Sequence, residues 1–342
     1  MSASVKDLLF SLCSGASASG CEYLFADETI KLLGGFMPCG VDKSGNIIGH
    51  RDGSGTHFLL DAHFDVISLI VTGVEKNGFL RFDKCGGIDV RTLCAQDVTV
   101  HGKEELYGVV TSTPPHLMKS DGKSAPGVDE ILIDTGLEGD RIFDLVSLGD
   151  RVTFKAPYRS LIGSNVSGAY FDNRSGVCAV LKCLEILKEN GCDNELSVVF
   201  SSQEETGRSG AYAAGYNIDA EKCICVDVSF AKSESTPKNI SAVTGGGTMI
   251  GIAPILDYQM SREMQTIAKK EGIPYQLEVM ADSTGTNADM LAVSSGGKKT
   301  ALLSIPLKIM HTCSELLCLD DIEATARLMA AYIMNCGGDS NA

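Results

Sequence analysis

Thr56-His-Phe-Leu-Leu-Asp-Ala-His-Phe-Asp65 is an apolar run of strand length that ends on a histidine and, two residues later, a carboxylate. The same arrangement returns three times. Leu196-Ser-Val-Val-Phe-Ser-Ser202 leads to Glu204 and Glu205, Cys223-Ile-Cys-Val226 runs into Asp227, and Thr300-Ala-Leu-Leu-Ser-Ile305 leads to His311. Short apolar runs bounded by polar residues read as buried strands. In open α/β sheets, ligands collect beyond the carboxyl ends of such strands, where loops aim side chains without disturbing the core. With Asp172, which stands at the start of a helical pattern, these positions read as one two-metal site gathered along a sheet edge.

Outward from these runs the chain shows two grammars. After Asp172, helices and strands alternate: Val177, Val180, Leu181, Leu184 and Leu187 repeat at helical spacing. The strand at Leu196 and that at Cys223 follow, then a helix over Tyr258 to Lys270, a strand over Tyr275 to Val279, the strand at Thr300 and, preceded by Asp320-Asp321, a closing helix through Asn335, with Gly337-Gly338 as its stop. Helices are also expected over Val5 to Leu12 and Glu22 to Leu33. Between Phe64 and about Ala156 short β-type runs dominate, at Ser68 to Val74, Gly78 to Phe82, Asp97 to His101, Tyr107 to Thr111, Ile131 to Asp134 and Arg151 to Phe154. A short helix at Leu137 to Phe143 is the only competitor. This is an α/β domain interrupted by a β-rich insertion.

A chain of 342 residues has ample material for a large domain and a smaller one. Asp and Glu outnumber Lys and Arg by 44 to 29, a net charge of −15, which repels nucleic acid and anionic membrane as main partners. No stretch approaches a transmembrane span and the first residues lack a signal-peptide pattern, so a cytoplasmic location is expected. Thirteen cysteines, an odd number without any Cys-x-x-Cys pair, indicate neither a disulfide framework nor a zinc finger. Cys223 and Cys225 alternate on a strand and read as core.

His63 and Asp65, two apart in extended chain, face one side, so the carboxylate can orient the ring. Glu204 and Glu205 are neighbours at a strand end and point opposite ways; one can ligate metal while the other stays free beside water. Each position has a plainer reading when taken alone. Asp172 fits a helix cap, His311 a satisfied loop histidine, the glutamate pair an exposed acidic turn, and Arg208 a solvated surface residue. Their conjunction favours a site.

The segments Asp61-Ala-His-Phe-Asp-Val66, Ala169-Tyr-Phe-Asp-Asn-Arg-Ser-Gly176, Ser202-Gln-Glu-Glu-Thr-Gly207, Val226-Asp-Val228 and Ile305-Pro-Leu-Lys-Ile-Met-His311 resemble the signature blocks of the family-42 metallo-aminopeptidases. That family comprises glutamyl, leucyl and deblocking aminopeptidases, some historically labelled endoglucanases. Val109 to Leu117, Ile131 to Gly136 and Leu148 to Phe154 are similar to its inserted β domain, so the resemblance spans nearly the whole chain. It implies a zinc-exopeptidase (phosphorylase/hydrolase-like) α/β fold, a mixed sheet flanked by helices with an inserted small β-barrel-like domain. On this reading residues 1–65 and 157–342 form the catalytic domain, and residues 66–156 serve oligomerisation, commonly into a tetrahedral dodecamer built from dimers.

The resemblance also implies roles. Asp172 bridges two divalent ions, His63 and Asp227 complete one site, Glu205 and His311 the other, Asp65 orients His63, and Glu204 is the general base. Nitrogen and carboxylate ligands without thiolate suit Zn²⁺, Co²⁺ or Mn²⁺, and the substrates are peptides cleaved after their first residue. The chain departs from the pattern at Thr284-Gly-Thr-Asn-Ala288, where Asn287 keeps the shape of the family's Asp without its charge. Arg208 is displaced by one residue, and Thr244-Gly-Gly-Gly-Thr248 reads as a flexible turn. Two other functions compete: a glycoside hydrolase, whose carboxylates must stand about 5 to 9.5 Å apart across a bond, and a non-catalytic assembly or binding scaffold with a degenerate site.

Overall fold

The computed structural model describes residues 3–15, 17–113, 126–234, 236 and 242–336. The expected stop at Gly337-Gly338 and the Pro114 to Leu117 end of one similar block lie outside them. Two helices open the chain, α1 (Val5–Cys13) and α2 (Ala26–Leu33), followed by strands β1 (Cys39–Val41), β2 (Ile47–Arg51) and β3 (His57–His63). Next come β4 (Ser68–Val74), β5 (Leu80–Cys85), β6 (Asp97–His101), β7 (Glu105–Ser112), β8 (Ile131–Asp134), α3 (Arg141–Leu145) and β9 (Arg151–Phe154). The remainder is β10 (Arg159–Ser160), β11 (Asn165–Gly168), α4 (Phe171–Asn190), β12 (Glu195–Ser201), α5 (Ser209–Asn217), β13 (Lys222–Phe230), β14 (Thr248–Ile252), α6 (Tyr258–Glu271), β15 (Tyr275–Val279), α7 (Ala288–Val293), β16 (Lys299–Leu307), β17 (Glu315–Cys318) and α8 (Leu319–Cys336).

Eight strands form one mixed sheet in the order β1-β2-β12-β3-β13-β16-β14-β15. Its centre, β12, β3, β13 and β16, is parallel. These four strands are nearly continuous runs of buried residues because helices cover both faces. On one face α1, α4, α6 and α8 enclose Phe58, Leu60, Val198, Leu303 and Tyr332. On the other, Leu59, Val199 and Leu302 pack with Ala211, Ala214 and Leu291 from α5 and α7, and Cys223 and Cys225 are buried there as core. Strands β4 to β9 close into a separate barrel, β4-β5-β8-β7-β6-β9, with its own core of Leu69, Val71, Leu80, Val98, Ile133 and Val152.

Several expectations need correction. The stretch Glu22 to Leu33 is a 3₁₀ turn over Glu22–Phe25 joined to α2, because the buried Glu22 carboxylate turns back to accept from the amides of Gly20 and Gln203. The short helix expected at Leu137 starts later, at Arg141, after Gly139 takes a left-handed φ of 63°. Asp320 and Asp321 do not precede α8 but lie in its first turn. The glycine run at 245–247 is held, not flexible. The Asp321 carboxylate accepts from the amides of Gly245 and Gly247, both at 2.7 Å, and a Cβ on Gly247 would fall 2.0 Å from the carbonyl oxygen of Pro274.

Candidate active site

The parallel centre of the sheet delivers side chains to one rim. His63 closes β3, Glu204 and Glu205 follow the end of β12, and His311 lies four residues beyond β16. Asp227 was expected at a strand end, yet β13 continues to Phe230. The reason is register: β13 stays paired with β16 as far as Phe230 and Leu307, while its pairing with β3 stops at Cys225 and Asp61. Asp227 therefore emerges beside the end of β3 without leaving its own strand.

Asp172 sits within the span of α4, but it and Asn173 are non-helical and joined by a cis peptide bond. It is not the helix cap. Asn173 does that work, its Oδ1 accepting from the amide of Gly176 at 3.0 Å. The Asp172 carboxylate is thereby free to face both histidines: Oδ1 lies 3.0 Å from Nε2 of His63, and Oδ2 lies 3.1 Å from Nε2 of His311. Asp227 Oδ1 stands 3.6 Å from the same nitrogen of His63, and Glu205 Oε2 stands 3.5 Å from that of His311. All five predicted ligands thus meet as two clusters, His63-Asp172-Asp227 and Asp172-Glu205-His311, sharing one carboxylate.

The two supporting residues differ from expectation in how they act. His63 Nδ1 lies 3.1 Å from the backbone oxygen of Asp65 and 3.6 Å from its carboxylate. The carboxylate instead accepts from the amides of Glu204 and Glu205, at 2.9 and 3.1 Å. Those glutamates are not on a strand. β12 ends at Ser201, and Gln203, at φ 56°, turns the chain into a tight loop closed by the Arg208 amide donating to the Gln203 carbonyl. The loop sends Glu205 to His311 and Glu204 to Arg208, whose Nε donates to Glu204 Oε1 at 2.9 Å. Arg208 is thus a partner of the site, also donating to the Gly285 carbonyl.

Glu315 was missed. It is fully buried, and its two oxygens accept from the backbone amides of His311 and Asp172, at 3.0 and 3.2 Å. It so fixes the chain at two of the clustered residues. A lone glutamate in Cys313-Ser-Glu-Leu-Leu317 carries no periodicity or motif that could have marked it. Asn287, flagged only for its lost charge, donates to Asp61 Oδ2 at 3.0 Å and to the Ser201 hydroxyl at 2.7 Å.

The electrostatics follow from burial and crowding. Burial opposes charge on Asp172, but hydrogen bonds from His311 and His63 outweigh it and hold the carboxyl below its usual range. Burial likewise opposes protonation of His63, yet Asp172 and Asp227 raise its pKa well above normal; His311 rises to about 10, Asp172 and Glu205 overcoming the same penalty. Glu205 is pushed far up by burial and by Asp172, and Glu204 goes to about 7 chiefly through burial. Glu315 reaches about 8 for the same reasons as Glu205. Carboxylates therefore exceed the cations available to them in a buried space, and one oxygen of Glu205 has no hydrogen-bond partner. An imidazole and two carboxylates in each cluster, without thiolate, are donors that fit a borderline divalent cation.

The cleft over these residues has a volume of about 560 Å³ and is walled on its other sides by Val228, Phe230, Thr286 and Met310. A second cleft of about 640 Å³, lined by Pro254, Ile255, Asp289 and Met290, shares Arg208 with it. The first has room for a residue side chain beside charged groups.

Residues 45–328 match the sequence profile of the M42 glutamyl aminopeptidases. A lysyl aminopeptidase of Pyrococcus furiosus is 33% identical over 302 residues, covering 86% of each chain. Among solved structures, an aminopeptidase of the archaeon Desulfurococcus kamchatkensis superposes with a TM-score of 0.90 at 29% identity, covering 97% of this chain and 94% of that one. The TET1 peptidase of Pyrococcus horikoshii, described as assembling into a tetrahedron or a large octahedral shell, gives 0.86 at 30% identity over 97% and 99% of the two chains. Profile, sequence relatives and fold agree with the α/β architecture and the closed barrel: this chain is a peptidase and belongs to the M42 family of aminopeptidases.

Proposed function

We propose that the chain removes the first residue from peptides at a centre for two divalent ions. The observation that carries this reading is the placement of Asp172, whose two oxygens face two separate imidazole-carboxylate clusters. His63, Asp172 and Asp227 would hold one ion, and Asp172, Glu205 and His311 the other. When bound, such ions polarise the scissile carbonyl and lower the pKa of water. Zn²⁺, Co²⁺ and Mn²⁺ all suit these donors.

The remaining chemistry belongs to the chain. Glu204 is the general base: it lines the cleft without joining either cluster, and burial places its pKa near 7, a value suited to taking a proton from water and returning it to the departing amine. Arg208 holds its carboxylate through Nε. Asp65 and Glu315 act as positioning residues through backbone amides. A substrate's free amino terminus held beside the two ions would restrict cleavage to the first peptide bond.

Residues 66–156, which contain the barrel, are proposed as the unit serving assembly into a dodecamer built from dimers. The multimeric description of the TET1 peptidase supports this. No helix among the described residues is long and apolar enough to cross a membrane, and the proposed location is the cytoplasm. The test is a panel of aminoacyl-anilides, free and N-acetylated, offered to metal-stripped protein restored with each ion in turn. Hydrolysis of the free-amino substrates should vanish on stripping and return with metal. No hydrolysis with any ion, or equal cleavage of acetylated substrates, would overturn the reading.

A further inference from the structure

The strand that ends on His63 begins on another histidine. His57 and His63 are the two ends of β3, so about 20 Å separates them at roughly 3.3 Å per residue. At the His57 end, register gathers a second cluster. Glu195 of β12 pairs with His57 of β3, and Ser197 of β12 pairs with His50 of β2. Registered partners share a face, as do residues two apart on one strand, so His50, His57, Glu195 and Ser197 project together from the rim opposite the active site. Asp52, two residues beyond His50, stands beside the His50 ring.

His50, His57 and Glu195 offer ligand atoms that all lie within 4.8 Å of one another, within reach of one ion. Glu195 Oε1 lies 3.3 Å from His57 Nδ1 and 3.7 Å from His50 Nε2, and Asp52 Oδ1 lies 3.2 Å from the same His50 nitrogen. Donors held at 2.0 to 2.1 Å around a tetrahedral zinc stand about 3.3 Å apart. The rings are also oriented from behind. The Ser197 hydroxyl oxygen is 3.0 Å from His50 Nδ1 and 2.9 Å from His57 Nε2, the nitrogens turned away from the cluster. Metal-binding histidines characteristically donate their other N–H in this manner. One serine thus presents the remaining nitrogens of both rings toward Glu195.

We propose that His50, His57 and Glu195 form a further metal site, taking a borderline divalent cation such as Zn²⁺ with water completing its shell. The Glu195 carboxylate offsets part of its charge, and the two imidazoles select it over Ca²⁺ or Mg²⁺. In the metal-free protein His57 Nδ1 can donate its proton to the backbone oxygen of Asp219, 3.2 Å away; when the ion takes Nδ1, the ring carries its one proton on Nε2, which donates to Ser197. The His50 side chain is 45% exposed and Asp52 wholly so, which leaves a path for entry. Bound there, the ion would tie the end of β2 to the starts of β12 and β3, stapling the sheet at the rim away from catalysis.

The experiment is a zinc count on the full chain after equilibrium dialysis against low-micromolar free Zn²⁺. It compares wild type, His50→Gln/His57→Gln and Glu195→Gln. Ions at the active site cancel in the difference, so the result is independent of the two-ion reading. The double variant should bind one zinc fewer per chain, and Glu195→Gln should require several-fold more free Zn²⁺ to fill that site. Thermal melts in chelator verify that each variant folds; should the double variant not fold, Glu195→Gln decides alone. In an Asp172→Asn background, Zn²⁺ should raise Tm only while His50 and His57 are present. Equal zinc counts and unchanged zinc dependence in folded variants would overturn the proposal.

Discussion

Arg208 donates from Nε to Oε1 of Glu204 at 2.9 Å, and its NH1 stands 3.7 Å from Asp289 Oδ2. The pair is local, four residues apart, and the left-handed backbone of Arg208 at φ 62° brings the guanidinium back over the glutamate loop. Burial raises Glu204 to about 7, and the guanidinium opposes that rise. Its removal leaves the carboxylate more basic, with or without cations nearby.

Arg208→Met should therefore move the acid limb of kcat/KM to higher pH by about one unit, at the low end for loss of an opposite charge in contact. On that limb activity falls about tenfold, since one unit is a factor of ten in the fraction of free base. Well above the limb it is retained. A pH–rate profile measures both, and an acid limb that stays in place would show that Glu204 is not the titrating group.

Asp65→Asn tests the support of the glutamate loop. Both Asp65 oxygens accept backbone N–H groups, whereas an asparagine offers one acceptor and turns an NH₂ toward the other amide. Leaving that amide unpaired costs about 1–3 kcal/mol. A displaced base of even 1 Å costs about 10²-fold in rate. The backbone oxygen that meets His63 is untouched, so metal held at the His63 cluster should be unchanged while kcat and unfolding free energy fall. Loss of metal at normal kcat per bound ion would restore the simpler role of orienting His63.

How much of this was legible in the sequence follows from which physical signal each residue carries. β3, β12, β13 and β16 are apolar runs because both faces of the sheet are covered, and that signal is local. β14 was invisible behind its glycine run, whose rigidity comes from Asp321, 74 residues away from Gly247. α5, Ser-Gly-Ala-Tyr-Ala-Ala-Gly-Tyr-Asn, lacks a stripe of large apolar residues, because Ala211, Ala214 and Gly215 pack closely in place of them. At the site, residues that touch the shared centre ended apolar runs and could be found. Those that act through backbone amides, Glu315 and the Asp65 carboxylate, depend on loop conformations that no periodicity reports. Arg208 looked exposed because its partner is made by a left-handed residue, not by a regular helix.

Asp321 gives a stability prediction with a definite sign. Burial raises its pKa to about 6 although the amides of Gly245 and Gly247 hold it down. A carboxyl raised in the folded state binds its proton more tightly there than in the unfolded chain, near 3.9. Its contribution is thus largest at low pH and declines as pH rises through about 6. Wild type should lose up to about 3 kcal/mol relative to Asp321→Asn between the two pKa values. Urea unfolding of both proteins at about pH 4.5 and about pH 7 reads this difference. Wild type gaining stability relative to Asp321→Asn as pH rises would mean that the carboxylate is better solvated by the two amides than its burial implies.

Asn287 and Asp61 make the last test, because the amide stands where the resembled family usually carries Asp. Asn287 Nδ2 donates to Asp61 Oδ2 at 3.0 Å, and burial pushes Asp61 to about 6. In Asn287→Asp two carboxyls meet at this spacing and cannot both ionise; one keeps a proton and donates in place of the amide. The fold and its hydrogen bond should survive at about pH 5, where that proton is readily held. As pH rises through the raised pKa of the pair, the variant should lose stability relative to wild type, about 1.4 kcal/mol for each unit of the rise. The exchange Asp61→Asn/Asn287→Asp, with one amide and one carboxylate again, should abolish most of this pH dependence. Melting temperatures of the three proteins across that range decide it. A pH-independent deficit in Asn287→Asp would show that the two side chains do not share a proton, and that the amide matters for its bond to Ser201 instead.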